Sequence, residues 1–306
     1  MNLPPIVFRR SIAFTQPATT ANISGSLAFT RDDAVTDPLS SNAYSDLDLR
    51  IQGHVATVEL QRPPNNFFDL SLIRQIADAF DALDALPECR AIILAAQGKA
   101  FCAGANFGTG QEDGTGSTDF TEDGFQNTTG KLYQEATRLF RNQKPVIGAI
   151  QGAAIGGGLG LSLVPDFRIA SPAARFGANF VKLGLHQGFG ISVTLPRLIG
   201  VQAANKMLLT GRRISGEEAF NIGLVDQLVD AEDLHNAAFQ LAQEIAENAP
   251  LAVMSVRATL RAGLADAVSE ATVHELAEQQ RLRATADAYE GIKAVSERRP
   301  GNFTAS

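Results

Sequence analysis

Two short segments of this 306-residue chain put bare backbone, rather than side chains, where a ligand can reach it. One is Gln151-Gly152-Ala153-Ala154-Ile155-Gly156-Gly157-Gly158-Leu159-Gly160; the other is Lys99-Ala100-Phe101-Cys102-Ala103-Gly104-Ala105-Asn106. Glycine has no Cβ to hold a substrate away from the main chain and tolerates unusual backbone angles. A helix that starts in such a run presents N–H groups with no intrahelical acceptor, and such an end attracts negative charge.

Three other readings compete for the glycine-rich stretch. Gly148, Gly152, Gly156 and Gly160 fall at four-residue intervals, as in membrane helix-packing motifs. Six glycines in the span, each weakening a helix by about 1 kcal/mol relative to alanine, argue against a membrane helix, and no other segment suggests one. A dinucleotide loop read from Gly158 and Gly160 fails at Leu163, and no Gly-Lys-Ser/Thr follows to make a phosphate loop. Close packing of helix on sheet would explain one such segment taken alone. The second segment, which also follows a buried strand, favours the ligand-facing reading.

The elements that must position these segments read as an α/β plan. Leu47, Leu49 and Ile51 alternate with polar residues, and Ala56, Val58 and Leu60 repeat the alternation after Gly53, which predicts a hairpin. Asp69 is placed to cap a helix whose Leu72, Ile76, Phe80, Leu83 and Leu86 share a face. Ala91–Ala95 is an apolar run suited to a strand covered on both sides, and strands are also expected at 146–150, 167–170 and Leu224-Val225. Around the triple glycine, the pattern predicts a strand ending near Gln151, a turn through Ala153-Ala154 and a helix beginning at the glycines. Ser215-Gly216-Glu217-Glu218 has capping-box spacing, and Gly223 is placed to end the helix it starts. After Asp230 only helical periodicity continues, in four segments, with Pro250 in a first turn.

Composition narrows the function classes. A net charge of -7 and a pI near 5.2 argue against a nucleic-acid partner. Two cysteines, Cys89 and Cys102, and four scattered histidines offer neither a disulfide scaffold nor metal-ligand spacing, so no metal is expected. Residues 1–45 read as a loosely ordered extension, 46–229 as the α/β core and 230–306 as a helical region. Arg9-Arg10 mimics a twin-arginine signal, but polar residues follow where an apolar stretch should lie, so a cytoplasmic location is expected. The alternative is the mitochondrial matrix, with residues 1–31 as a transit peptide.

Taken together and in order, the two segments resemble those of the enoyl-CoA hydratase/isomerase (crotonase) family: a strand, then FxAGAD (here Phe101 to Asn106), and later a strand, then GxxxGGGxxL. Arg62-Pro63, Asp166, the stretch Thr210–Ser215, Gly223-Leu224-Val225 and the tail Glu297–Phe303 look like further family motifs, so the likeness runs from Leu47 to the C-terminus. The resemblance implies a spiral of ββα turns with C-terminal helices that assemble trimers or dimers of trimers. It implies an acyl-CoA thioester as substrate and no separate cofactor. It also implies an oxyanion hole built from the N–H groups of Ala103 and Gly157. Arg62, Phe68, Ala105, Asn106, Gly156 and Phe180 are the residues expected to touch the acyl-CoA.

One departure bears on mechanism. Alignment through the triple glycine and Phe176 puts Gly160 and Phe180 where family hydratases carry two glutamates, and neither residue moves a proton. His186 is the candidate replacement base, because imidazole exchanges a proton near neutral pH. The acids of the loop 107–130, Glu112, Asp113, Asp119, Glu122 and Asp123, are a second source, on a segment with the composition of a lid. The expected activity is stabilisation of a thioester enolate. The alternatives are hydrolysis of a thioester or a carbon–carbon bond with His186, and acyl-CoA binding without catalysis.

Overall fold

The alternating apolar residues after Leu47 form the expected hairpin of β1 (Leu47–Gln52) and β2 (Val55–Leu60), with Leu47 opposite Leu60 and Gln52 opposite Val55. A computed structural model describes residues 43–106 and 126–306, all within the unit 37–306. The readings made for residues 1–42 and 107–125 lie outside the described residues. Helix α1 (Leu70–Ala85) starts where Asp69 accepts the Leu72 N–H at 2.8 Å, which satisfies one of the donors a helix start leaves orphaned. It buries Leu72, Ile76, Phe80 and Leu83 as its periodicity predicts. The next strand, β3 (Ala91–Ala96), is buried along its whole length and pairs in parallel with β2.

From here the chain repeats one unit: two strands, then a helix. β4 (Ala100–Cys102) precedes α2 (Lys131–Arg141); β5 (Val146–Ile150) and β6 (Ala153–Ile155) precede α3 (Gly157–Ser162); β7 (Phe167–Ala170) and β8 (Arg175–Gly177) precede α4 (Ile191–Thr210). A shorter unit of β9 (Arg213–Ser215), α5 (Gly216–Asn221) and β10 (Gln227–Leu228) closes the series. Each turn gives one strand to a six-stranded sheet of order β1-β2-β3-β5-β7-β10 and one to a four-stranded sheet of order β4-β6-β8-β9. This is the spiral of ββα turns that the resemblance implied.

Alternate residues of β3 face two cores. Ile92 and Leu94 join Leu72, Phe80 and Phe140 on one side, whereas Ala91, Ile93 and Ala95 meet Leu234, Ala238 and Ala242 of α6 (Leu234–Ala246) on the other. Three more helices follow: α7 (Pro250–Leu260), with Pro250 in its first turn, α8 (Leu264–Arg283) and α9 (Ala286–Ser296). α8 packs on α2, and α9 packs on a 3₁₀ turn, Asn179–Leu183, so the last helices are built into the core rather than appended to it. Among the described residues, no helix is long and apolar enough to cross a membrane.

Two expectations shift. Ala153-Ala154, expected as a turn, is strand β6, held between β4 and β8. The strand expected at Leu224-Val225 lies at Gln227–Leu228 instead. The N–H groups of Leu224 and Val225 both turn back to the Ala219 carbonyl, at 2.8 and 3.2 Å, closing the end of α5 before the chain can pair with β7.

Asp166, at the start of β7, ties the sheet to the C-terminal helices. Its carboxylate accepts the Val146 N–H at 2.8 Å, the Arg257 Nε at 2.8 Å and an Arg261 nitrogen at 3.0 Å. Both arginines are largely buried, and Arg257 also donates to the Asn142 carbonyl at 2.5 Å. Replacing Asp166 with alanine leaves two guanidinium groups without their counter-charge. The expected loss is about 3–5 kcal/mol of unfolding free energy, measured as a lower urea midpoint for Asp166→Ala at unchanged m-value.

Candidate active site

The end of β4 and the start of α3 touch backbone to backbone, and only glycine permits it. Gly104 has φ of +85°, and a Cβ there would meet the Ile155 carbonyl oxygen at 2.6 Å; a Cβ on Gly158 would lie 2.0 Å from the Cys102 carbonyl oxygen. The loop from Arg62 to Phe68 runs beside this junction. Buried Asn66 donates to the carbonyls of Gln97 and Ala100 at 2.7 and 2.8 Å, and Phe68 N–H donates to the Gly104 carbonyl at 3.1 Å. These bonds hold the Phe68 ring against Gly157, where a Cβ would fall 2.2 Å from the ring edge.

A cavity of about 280 Å³ opens at the junction. Ala103, Gly104, Ala105, Asn106, Gly156 and Gly157 form one wall; Phe67, Phe68, Phe180 and Phe189 add aromatic surface. α2 contributes Leu132 and Tyr133, α8 contributes Gln279 and Arg283, and α9 contributes Ile292, Val295 and Ser296. Of the residues read from sequence as binding ligand, Phe68, Ala105, Asn106, Gly156 and Phe180 lie here together with Ala103 and Gly157.

One of the two amides expected as donors already has an acceptor. Ala103 N–H donates to the Asn65 carbonyl at 2.9 Å and so is already engaged. Two residues on, the Ala105 N–H has no acceptor among the described residues. Gly157, first residue of α3, likewise has no acceptor for its N–H, as the geometry of a helix start dictates. Its nitrogen lies 3.8 Å from the Cβ position of Gly104, the neighbour of Ala105, and Ala105 and Gly157 both line the cavity.

Arg62 and His186 are not on the lining. The Arg62 guanidinium bridges Asp46 and Asp69, each at 2.7 Å, and so clamps the hairpin entry to the cap of α1. His186 Nδ1 is 2.8 Å from the Gln187 carbonyl oxygen, and its ring meets His274 edge-on, 5.7 Å between centroids. Among the described residues no carboxylate lines the cavity. The position of the first missing glutamate is closed: a Cβ on Gly160 would lie 2.7 Å from Phe189, whose ring is buried and 5.9 Å from that of Phe68.

The charged groups on the lining are Arg213 and Arg283, among the described residues; the other polar ones are neutral. Burial, followed by the nearby charge of Glu275, pushes the Tyr133 phenol well above its ordinary range, so it stays protonated and donates to Gln279 Oε1 at 2.9 Å. Glu275 itself is turned away: it accepts the N–H of Gly190 at 2.8 Å and of Ser192 at 3.1 Å at the start of α4. Burial pushes the Cys102 thiol up to about 12, which removes it as a nucleophile. Sequence reasoning did not single out Thr129, Tyr133, Phe189 or Gln279. Tyr133 and Phe189 read as ordinary core positions, and Gln279 is one polar residue among many on α8.

Comparison with known proteins gives the family and the fold. The family model described as enoyl-CoA hydratase/isomerase matches residues 50–306. The chain is 34% identical over 265 residues to a crotonyl-CoA hydratase of Syntrophomonas wolfei, covering 85% of this chain and 98% of that protein. It is 34% identical over 263 residues to a carnitinyl-CoA dehydratase of Proteus mirabilis, with 83% and 96% covered. Among solved structures, an enoyl-CoA hydratase/isomerase from Pseudoalteromonas atlantica superposes with a TM-score of 0.72 at 26% identity, over 85% of this chain and all of that one (100%).

Two outcomes follow from the packing. Gly160→Glu drives a side chain into Phe189 and is expected to cost about 1–3 kcal/mol, read as a lower urea midpoint; a midpoint at or above that of the parent protein contradicts the steric account. Cys89, held up to about 11 by burial, and Cys102 are both expected to resist a thiolate-selective reagent at pH 8 and to react only on unfolding.

Proposed function

We propose, from the premise that this chain belongs to the enoyl-CoA hydratase/isomerase family, that it acts on an acyl-CoA thioester and stabilises its enolate. The supporting observation is the pair of amides, Ala105 and Gly157, that line one cavity and have no acceptor among the described residues. When the carbon next to a thioester gives its proton to a base, here one of the acids Glu112, Asp113, Asp119, Glu122 or Asp123 named from the sequence, negative charge builds on the carbonyl oxygen. Two fixed N–H donors stabilise that charge most in the transition state, and each contributes about 3 kcal/mol to lowering the barrier. The expected donor pair thus moves from Ala103 and Gly157 to Ala105 and Gly157, since the Ala103 amide serves Asn65.

Phe67, Phe68 and Phe180 supply apolar surface for the acyl chain or for CoA, and Asn106 and Asn179 supply hydrogen bonds to orient it. With Gly160 and Phe180 in the glutamate positions and His186 away from the lining, hydration by a pair of glutamates and proton transfer by His186 both lose support. The lack of a lining carboxylate among the described residues favours a second reading, acyl-CoA binding without turnover.

Self-assembly is also part of the proposal. Leu251, Val256 and Leu260 on α7, Val201 and Leu209 on α4 and Val273 on α8 are exposed apolar side chains. Such surface suits contact between copies.

Butyryl-CoA incubated with the protein in deuterated water is expected to take up label at the α carbon, read by mass spectrometry. Ala105→Pro removes one donor and is expected to slow exchange about 100- to 1000-fold with the fold intact by circular dichroism. Absence of exchange with every thioester that calorimetry shows to bind would sink the enolate reading in favour of the binding one. Sedimentation velocity is expected to give a mass of three or six chains; a monomer at all concentrations contradicts the assembly.

A further inference from the structure

Thr129 belongs to a π-helical turn, Gln126–Gly130, that runs into α2. Turns of this kind are uncommon and cluster at functional sites. Thr129 is 4% exposed and lines the cavity, yet its hydroxyl oxygen is buried with no hydrogen-bond partner. A threonine in a helix normally returns its hydroxyl to a carbonyl three or four residues back. Thr137, Thr194, Thr210, Thr259 and Thr272 all do so here. Thr129 does not, and a buried polar group left unpaired is costly unless something else supplies the partner.

Neighbouring side chains do not supply it. Tyr133, one turn on, gives its proton to Gln279, and the Gln279 amide donates to the His186 carbonyl at 2.9 Å. These two groups are engaged with each other and with the main chain. Leu132, Leu185 and Phe189 on this wall are apolar, and the Arg283 guanidinium of α8, which also lines the cavity, is not bonded to this hydroxyl. A trapped water commonly makes about three hydrogen bonds, and the Thr129 hydroxyl alone cannot hold one well. An oxygen carried on the ligand needs no such set, because the ligand's own chain anchors it.

We infer that the acyl group this protein takes bears an oxygen, a hydroxyl or a carbonyl, on its chain beyond the reacting carbons, and that Thr129 is the residue that selects it. The inference rests on the acyl-CoA reading above. The free amides lie on the wall made by β4 and α3, whereas the Thr129 turn packs with α2 and, through Gly130, approaches Leu276 of α8. A thioester carbonyl at Ala105 and Gly157 therefore leaves the far part of the acyl chain to meet Thr129.

The test uses matched acyl-CoA pairs, hexanoyl-CoA against its 4-, 5- and 6-hydroxy and 5-keto forms, titrated by calorimetry into the parent protein and into Thr129→Val. At least one oxygenated form is expected to bind about tenfold more tightly than hexanoyl-CoA. Thr129→Val, which keeps the shape and removes the hydroxyl, is expected to erase that preference, so that the oxygenated forms bind no more tightly than hexanoyl-CoA. A second readout needs no ligand: Thr129→Val is expected to raise the urea midpoint, because it replaces an unpaired hydroxyl with a methyl group. Equal binding of all forms by the parent protein overturns the inference and leaves the acyl-CoA reading standing. So does an equal weakening of every form in Thr129→Val, or a lower midpoint. Failure of every acyl-CoA to bind overturns both.

Discussion

The site depends on one steric constraint: the end of β4 and the beginning of α3 must approach with nothing but backbone between them. Cys102 and Gly158 meet through main-chain atoms, and Gly104 lies against the Ile155 carbonyl in a conformation closed to other residues. Any side chain at these points would part strand from helix and carry the Ala105 and Gly157 amides away from a common space. Much of the surrounding structure serves this approach. Asn66 staples the loop before α1 to β4, the four-stranded sheet fixes β4 beside β6, and α3 follows directly from β6. This junction is thus set by chain path rather than by side-chain chemistry.

That origin explains how much could be read in the sequence. The hairpin, the Asp69 and Ser215 caps, the buried strands and the glycine junction were legible because each has a local signature in alternation, spacing or residue type. Strand β6 was not, since Ala153-Ala154-Ile155 is three residues long and becomes a strand only by lying between β4 and β8. The engagement of the Ala103 amide was equally out of reach, because its acceptor, Asn65, belongs to a different loop. Arg62, expected from the resemblance to touch the acyl-CoA, is an internal clamp in space. In each case the missing information is a contact between segments distant along the chain.

Aromatic side chains fill the space around Gly160. Phe189 occupies the volume a longer side chain at position 160 would need, and Phe68 stacks near it, so the cavity here is apolar by construction rather than by simple deletion. The polar groups that remain are mostly neutral and paired: Tyr133 with Gln279, Gln279 with the chain around His186. A site so arranged orients a ligand by hydrogen bonds and shape and leaves proton transfer to few groups.

The cavity is finished by the last helices. Gln279 and Arg283 of α8 and Ile292, Val295 and Ser296 of α9 close a space whose floor is laid down by residues 103–106. During synthesis the floor therefore leaves the ribosome well before its walls. Both sheets end by Leu228, so a chain of that length holds the floor of the cavity and lacks the groups that residues 279–296 set upon it.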